Sequence, residues 1–300
     1  MTEQIRLAAE ALRRGDLVVI PTETVYGLAC DATNERAVAK VFDAKGRPSD
    51  NPLIVHVLDW EHAASLSHDQ PGYASRLAAA FWPGPLTLVL PKSDAIPGIV
   101  SGGLATVGLR APAHPIAREV LEASGLPLAA PSANRFMALS VTRLEDLDPA
   151  IRSAAALCLD GGPCQVGIES TVLDCTGPAP RLLRPGGISR LQIEEACGLK
   201  LLDPGIGERR SPGMYPRHYA PVAPVRLVEH LEPGAAGLGF ARPASERQIQ
   251  MPSDPSSYAA ELYAALNTID RMGPSEIQIE TPPDAPGWEA VRDRLSRAAS

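Results

Sequence analysis

Apolar residues recur at two spacings along this chain, every third or fourth position in some stretches and in unbroken runs of four or five in others. Their interleaving predicts an α/β protein. Ile5, Ala8, Ala9 and Leu12 share one helical face, with Glu3, Glu10 and Arg13 elsewhere, so a first helix ends near Gly15. LVVI at 17–20 follows as a strand. A second helix starts at Asn34, a good N-cap, and runs through Val38, Val41 and Phe42 to about Ala44. LIVHV at 53–57 is the next buried strand. Further strands are expected at LTLVL (86–90), TVGL (106–109), PLAA (127–130), ALCLD (156–160) and STVLD (170–174), with helices near 73–81 and 114–124. The elements interleave without a strict repeat, which fits a twisted mixed sheet with flanking helices better than a regular doubly wound fold.

Ser189 and Gln192 form a capping-box pattern that opens a helix through Cys197. After it the pattern breaks. The stretch DPGIGERRSPGMYPRHYAP at 203–221 holds four prolines and three glycines with little periodicity, and reads as an extended linker. We place a first domain at 1–202, the linker at 203–222, and a small C-terminal α/β unit at 223–300. That unit should contain strands near 225–229 and 237–241, a helix at 257–272, the strand EIQIE at 276–280, and a last helix from Trp288.

Composition agrees with two cores: 300 residues, 45% of them apolar. The net charge of −7 argues against a protein that coats nucleic acid by charge, so no stable nucleic-acid binding is expected. The five cysteines, Cys30, Cys158, Cys164, Cys175 and Cys197, are an odd number without the two-residue spacing of metal or redox sites, and read as reduced thiols of a cytoplasmic protein. The apolar runs are strand length, so no membrane span or signal peptide is expected.

The chemistry is less plain. The chain has no GxxxxGK[ST] loop, no GxGxxG and no HExxH, so a nucleotide site must be built differently. Short polar groups instead follow the buried strands. Lys45 and Arg47 come just past the second helix, where Pro48 and Pro52 prevent its continuation, and should stand solvated on a loop. An ammonium and a guanidinium fork suit a phosphate chain, although cations at a helix end also merely complement its dipole. Ser132 and Asn134 could offer a hydroxyl and an amide to a nucleotide, or be ordinary turn residues. Arg184, before Pro185 and two glycines, suits a third phosphate contact, but a surface arginine would look the same. His56 falls on one face of a buried strand, where a satisfied core histidine is the commoner outcome. Arg110 could pair with a substrate carboxylate, and Thr24 and Ser170 are hydroxyl candidates beside glycine turns.

Taken in order, PTETVYGL, KGRPSDNPLIVHV, FWPGPLTLVL, LRAPAHPIA, APSAN, GIESTVLD and LLRPG resemble the threonylcarbamoyl-AMP synthase family. The SPGM…RHYAP stretch is similar to the linker of its two-domain branch. The resemblance implies a concave, positively lined cleft in the first domain, a Rossmann-like second domain, and synthesis of threonylcarbamoyl-AMP and pyrophosphate from L-threonine, bicarbonate and ATP. It further implies that a separate tRNA-modifying complex takes the product to the adenosine beside the anticodon. It assigns Lys45, Arg47, Asn51, Thr106, Ser132, Asn134, Ser140, Arg184 and Tyr219 to ATP, and Thr24, His56, Arg110, Ala130 and Ser170 to L-threonine. It also implies that no residue acts as a nucleophile and that Mg2+ sits on the phosphates. The proline- and glycine-rich linker, with Arg217, His218 and Tyr219, is expected to serve as a lid, a passive tether being the alternative. Two other readings of the same residues are an RNA-binding module without chemistry and a carbamoyl-transfer domain with a different donor.

Overall fold

The computed structural model of the protein describes residues 2–203 and 218–300. Helix α1 (Glu3–Arg13) is capped by the Thr2 hydroxyl and buries Ile5, Ala8 and Leu12. Strands β1 (Val18–Ile20) and β2 (Gly27–Asp31), helix α2 (Glu35–Lys45) and strand β3 (Ile54–His56) follow. Next come α3 (Trp60–Ser65), α4 (Gly72–Phe81), β4 (Leu86–Pro91), the single turn α5 (Gly98–Ser101) and β5 (Thr106–Arg110). Helix α6 (Pro115–Ser124), β6 (Leu128–Ala129), α7 (Pro149–Ala154), β7 (Leu157–Cys158), β8 (Thr171–Asp174), β9 (Arg181–Arg184) and α8 (Arg190–Cys197) complete the first domain. The capping box predicted at Ser189 is present.

Among the described residues these strands form one nine-stranded mixed sheet in the order β7-β1-β2-β6-β3-β5-β4-β8-β9. Its two faces are covered unequally. Val55, Leu88, Leu109 and Leu173 join residues of α2, α4 and α8 in one large core. On the opposite face, α1 and α6 cover the β1–β2–β6 side through Leu12, Val18, Val120 and Leu128. Strand alternation turns His56 and Arg110 away from Val55 and Leu109, toward this second face, and there the helices leave a cleft.

The second domain contains β10 (Val225–Val228), β11 (Ala236–Gly239), β12 (Gln248–Gln250), α9 (Pro255–Asp270), β13 (Ile277–Glu280) and α10 (Glu289–Ala298). Its four strands are all parallel, in the order β10-β13-β11-β12. Its core is continuous with the first domain, because Val25, Leu139 and Ile168 belong to the same apolar cluster as Leu262, Ile279 and Val291.

Three strands escape the hydrophobic pattern. β2 starts at a glycine, β9 is the charged run RLLR, and β12 is the polar edge run QIQ; neighbouring strands, not local apolar content, define them. Most of the predicted linker, 204–217, lies outside the described residues. Its end is described: His218 and Tyr219 are buried, and the Ala220 amide donates to the Met137 carbonyl at 3.0 Å.

Candidate active site

The cleft encloses a cavity of about 50 Å³. Sheet residues His56 and Arg110, loop residues Thr24, Ala130, Ser132 and Ser170, the guanidinium residues Arg47 and Arg184, and Tyr219 all line it. Asn51, Thr106, Asn134, Ser140 and Lys45 lie outside this wall. Thr106 begins β5, paired with Pro91, at the strand end away from Arg110.

The phosphate candidates differ from their expected setting. Lys45 is the last residue of α2, not a loop residue, and it is only 2% exposed, with Arg47 at 8%. The helix stops at Gly46, whose left-handed φ of 61° and amide bonds to Asp43 and Phe42 carbonyls terminate it; the prolines come later. Lys45 Nζ donates to the Ser132 carbonyl at 2.5 Å and to the Asn134 carbonyl, so the S-x-N segment holds the lysine through its backbone. Burial, with a smaller push from Arg47, lowers the Lys45 pKa well below its ordinary value. Arg47 donates to the carbonyls of Asn51 and Pro52 at 3.4 and 2.9 Å, which places Asn51 behind it. Asn134 donates its amide to the Arg135 and Ala138 carbonyls at 2.8 and 2.7 Å, and its Oδ1 has no partner among the described residues.

His56 and Arg110 are directly paired across β3 and β5. Arg110 makes a 2.6 Å ion pair with Glu23 and donates to Thr24 Oγ1 at 2.9 Å and to the Gly84 carbonyl at 3.3 Å. Burial pushes the Glu23 pKa up, but the Arg110 charge and hydrogen bond outweigh it and the net shift is downward. His56 is buried, as the strand pattern predicts, but it is not satisfied: neither ring nitrogen has a partner in hydrogen-bond geometry among the described residues, and the Leu128 backbone exerts only the weakest of the influences on it. Burial, assisted by Arg110, lowers its pKa to about 3, so the imidazole is neutral.

On the other side Arg184, 4% exposed and so no surface arginine, donates to the Ser170 carbonyl and hydroxyl, both at 3.1 Å, and to Tyr219 Oη at 3.4 Å. Gly186 lets this strand end approach, because a Cβ there would lie 2.3 Å from the Thr171 nitrogen. The Ser140 hydroxyl donates to Glu169 at 2.5 Å.

Sequence reasoning missed both carboxylates of the site, Glu23 and Glu169. Each stands within a motif already singled out, PTETVYGL and GIEST, and a carboxylate next to hydroxyl residues, between Thr22 and Thr24 or before Ser170, was the available signal. Glu169 also accepts from Tyr263 at 3.1 Å and from Arg294 at 2.7 Å, both on the second domain, and nothing local in the sequence indicates those contacts. Burial raises the Glu169 pKa, while Arg294 and then Arg184 reverse the shift to about 2. Among the described residues no group of three or more His, Cys, Asp or Glu could hold a metal ion, and no helix is long and apolar enough to cross a membrane.

The arrangement provides three buried guanidinium groups, Arg47, Arg110 and Arg184, and a neutral imidazole beside a hydroxyl on the cavity wall, with the Lys45 ammonium outside that wall. It offers anion binding and orientation rather than a nucleophile–base pair.

Residues 10–186 match the Sua5–YciO–YrdC family model, described as telomere recombination, and residues 188–300 match the C-terminal domain of threonylcarbamoyl-AMP synthase. The Bacillus subtilis threonylcarbamoyl-AMP synthase is 40% identical over 99% of this chain and 93% of its own length. A Pyrococcus abyssi Sua5 structure with a histidine and a tyrosine replaced by alanine is 38% identical and superposes with a TM-score of 0.91 over 98% of this chain and 92% of that one. The P. abyssi Sua5 complexed with L-threonine is 38% identical, with a TM-score of 0.88 over 98% and 94% of the two chains. The chain belongs to the threonylcarbamoyl-AMP synthase family, in its two-domain form.

Proposed function

We propose that this enzyme joins L-threonine, bicarbonate and ATP into threonylcarbamoyl-AMP and releases pyrophosphate, for threonylcarbamoyladenosine modification of tRNA. The observation that carries the reading is the pairing, in one cavity, of the Arg47 and Arg184 cations with the His56–Thr24–Arg110 wall. The first set suits a triphosphate. The second is a pocket for a small polar molecule, the class to which the L-threonine held by the P. abyssi relative belongs.

The neutral threonine amine attacks bicarbonate, displacing hydroxide that leaves as water with the amine proton, or adds to carbon dioxide and gives that proton to solvent; the resulting carbamate oxygen attacks the α-phosphorus as its bond to the leaving pyrophosphate breaks. Positioning and charge stabilisation carry the catalysis. Arg47 and Arg184 offset charge that builds on the phosphates, and phosphates close to Lys45 favour its ammonium form against the burial that lowers its pKa. Arg110 is already committed to Glu23, so a threonine carboxylate shares it rather than taking the whole fork. His56, neutral and unpartnered, offers one ring N–H and one lone pair. Magnesium enters as part of the MgATP substrate and stays on the phosphates, since Glu23 and Glu169 are both already ion-paired. A cavity of about 50 Å³ holds only a few water molecules, so substrates enter by displacing part of its wall, of which His218 and Tyr219 are members. In this reading the enzyme is cytoplasmic, and its product passes to a separate tRNA-modifying complex.

The test is pyrophosphate release from MgATP with threonine and bicarbonate omitted in turn. Release should require both. Equal release without threonine overturns the assignment.

A further inference from the structure

The second domain reaches the cavity with a buried charge. Arg294, on α10, is 1% exposed, and its Nε lies 2.7 Å from Glu169 Oε2. Its Nη2 donates to the Pro185 carbonyl at 3.0 Å, its Nη1 lies 2.6 Å from Asp293, and its guanidinium stands 5.1 Å from the Tyr219 ring centre. Tyr263, on α9, donates to the same carboxylate at 3.1 Å. A carboxylate in the wall of the first domain's cavity thus has its charge matched from the other domain.

After Arg294, the cation whose charge acts most on Glu169 is Arg184. Arg184 already donates through two groups to Ser170, the next residue along from Glu169, and both line the cavity. A buried carboxylate deprived of its cation is costly and turns to whatever cation it can reach. An Arg184 drawn into such a pair would present a neutralised surface to phosphate.

We propose that Arg294 is a positioning residue for the ATP subsite: by matching the charge of Glu169 it keeps Arg184 directed at the phosphates, so nucleotide affinity depends on the docked second domain. The inference rests on the reading that this cavity takes ATP. It deepens that reading by giving the second domain a task in substrate binding.

The experiment measures the Kd of a non-hydrolysable MgATP analogue by calorimetry, together with separate KM values for ATP and threonine, in the full chain. Arg294→Met should weaken analogue binding and raise the ATP KM by about tenfold or more, the effect of losing one charge-assisted contact. The threonine KM should stay within about threefold. Glu169→Gln added to Arg294→Met removes the uncompensated charge and should restore ATP binding to within about threefold of wild type, and Arg294→Lys should stay in the same range. A purely structural role predicts a double variant no better than the single one. An unchanged ATP KM in Arg294→Met, or no recovery in the double variant, overturns the proposal. If Arg294→Met does not fold, the double variant and Arg294→Lys decide: both near wild type support the coupling, and a tenfold loss in either overturns it. A wild-type chain that binds no analogue overturns the functional reading instead, so the two failures are distinct.

Discussion

At the scale of single residues, the site is a set of ionisable groups held away from their ordinary protonation behaviour. His56 is the clearest case, with Arg110 and Glu23 facing it and no hydrogen-bond partner on its ring among the described residues. As the pH falls below 6.5 the unfolded chain's imidazole takes a proton, whereas the folded one waits until about 3, so acid favours unfolding across that window. His218 behaves alike, also lowered to about 3 by burial, against an upward pull from Glu169 and with smaller downward pushes from Arg47, Lys45 and Arg184, and half-buried His62 is lowered too. Each fully buried histidine contributes up to about 1.4 kcal/mol per pH unit. Glu169 has the opposite ionisation but the same sense: its folded pKa of about 2 lies below the ordinary 4.5, so its stabilisation is lost only under more acid conditions. Urea-unfolding stability should therefore fall from pH 6.5 to 4.5, and His56→Asn should flatten that slope by about 1 kcal/mol per unit. An unaltered slope means that the folded imidazole is already charged.

At the scale of elements, the ends of helices and strands deliver the chemistry. The register of α2 puts Lys45 on the buried side of its last turn, and Gly46 turns the chain so that Arg47 follows into the cavity. The 132–134 loop, delivered by β6, then supplies the carbonyls that fix the lysine. Lys45→Met keeps the stem volume and removes the cation. Its loss leaves two buried carbonyls without their donor, a cost of about 1–3 kcal/mol that relief of the lysine's own burial offsets in part. The expected result is a folded protein with a modestly lowered urea midpoint and an ATP KM raised by about tenfold or more. Wild-type ATP kinetics in this variant would show that the lysine only braces the loop.

At the scale of the molecule, two domains share one apolar cluster and one charged network. Gly167 marks a close approach between them: its φ is +73°, and a Cβ would lie 2.4 Å from both the Ala259 oxygen and the Ala260 Cα of α9. Backbone atoms cannot yield as a side-chain tip can, so Gly167→Ala must part the domains or distort the 165–170 segment that carries Glu169. The left-handed backbone alone costs about 1–2 kcal/mol. The variant should show earlier proteolysis between the domains and weaker ATP use, measured by limited digestion and steady-state kinetics. Digestion and ATP KM both like wild type would mean that the contact is dispensable.

The sequence by itself determined the local elements and the family. Apolar spacing places α1, α2, α6 and α9 and the buried strands β3, β4, β5 and β8, because a long amphipathic or fully buried run has one favourable way to hide its surface. The ordered motifs also bring together much of the site, since Thr24, Arg47, His56, Arg110, Ser132, Ser170, Arg184 and Tyr219 meet in one cavity. Only the tertiary structure decided what those groups are bonded to. Arg110 is matched by Glu23, Lys45 is buried on backbone carbonyls, Ser140 is engaged by Glu169, and Glu169 is held by Arg294 from 125 positions away in the chain. Charge partners, burial and the resulting pKa shifts depend on which surfaces face one another across the fold. Neither periodicity nor motif spacing encodes that, because each describes a segment alone while the compensation of a buried charge comes from elsewhere in the chain.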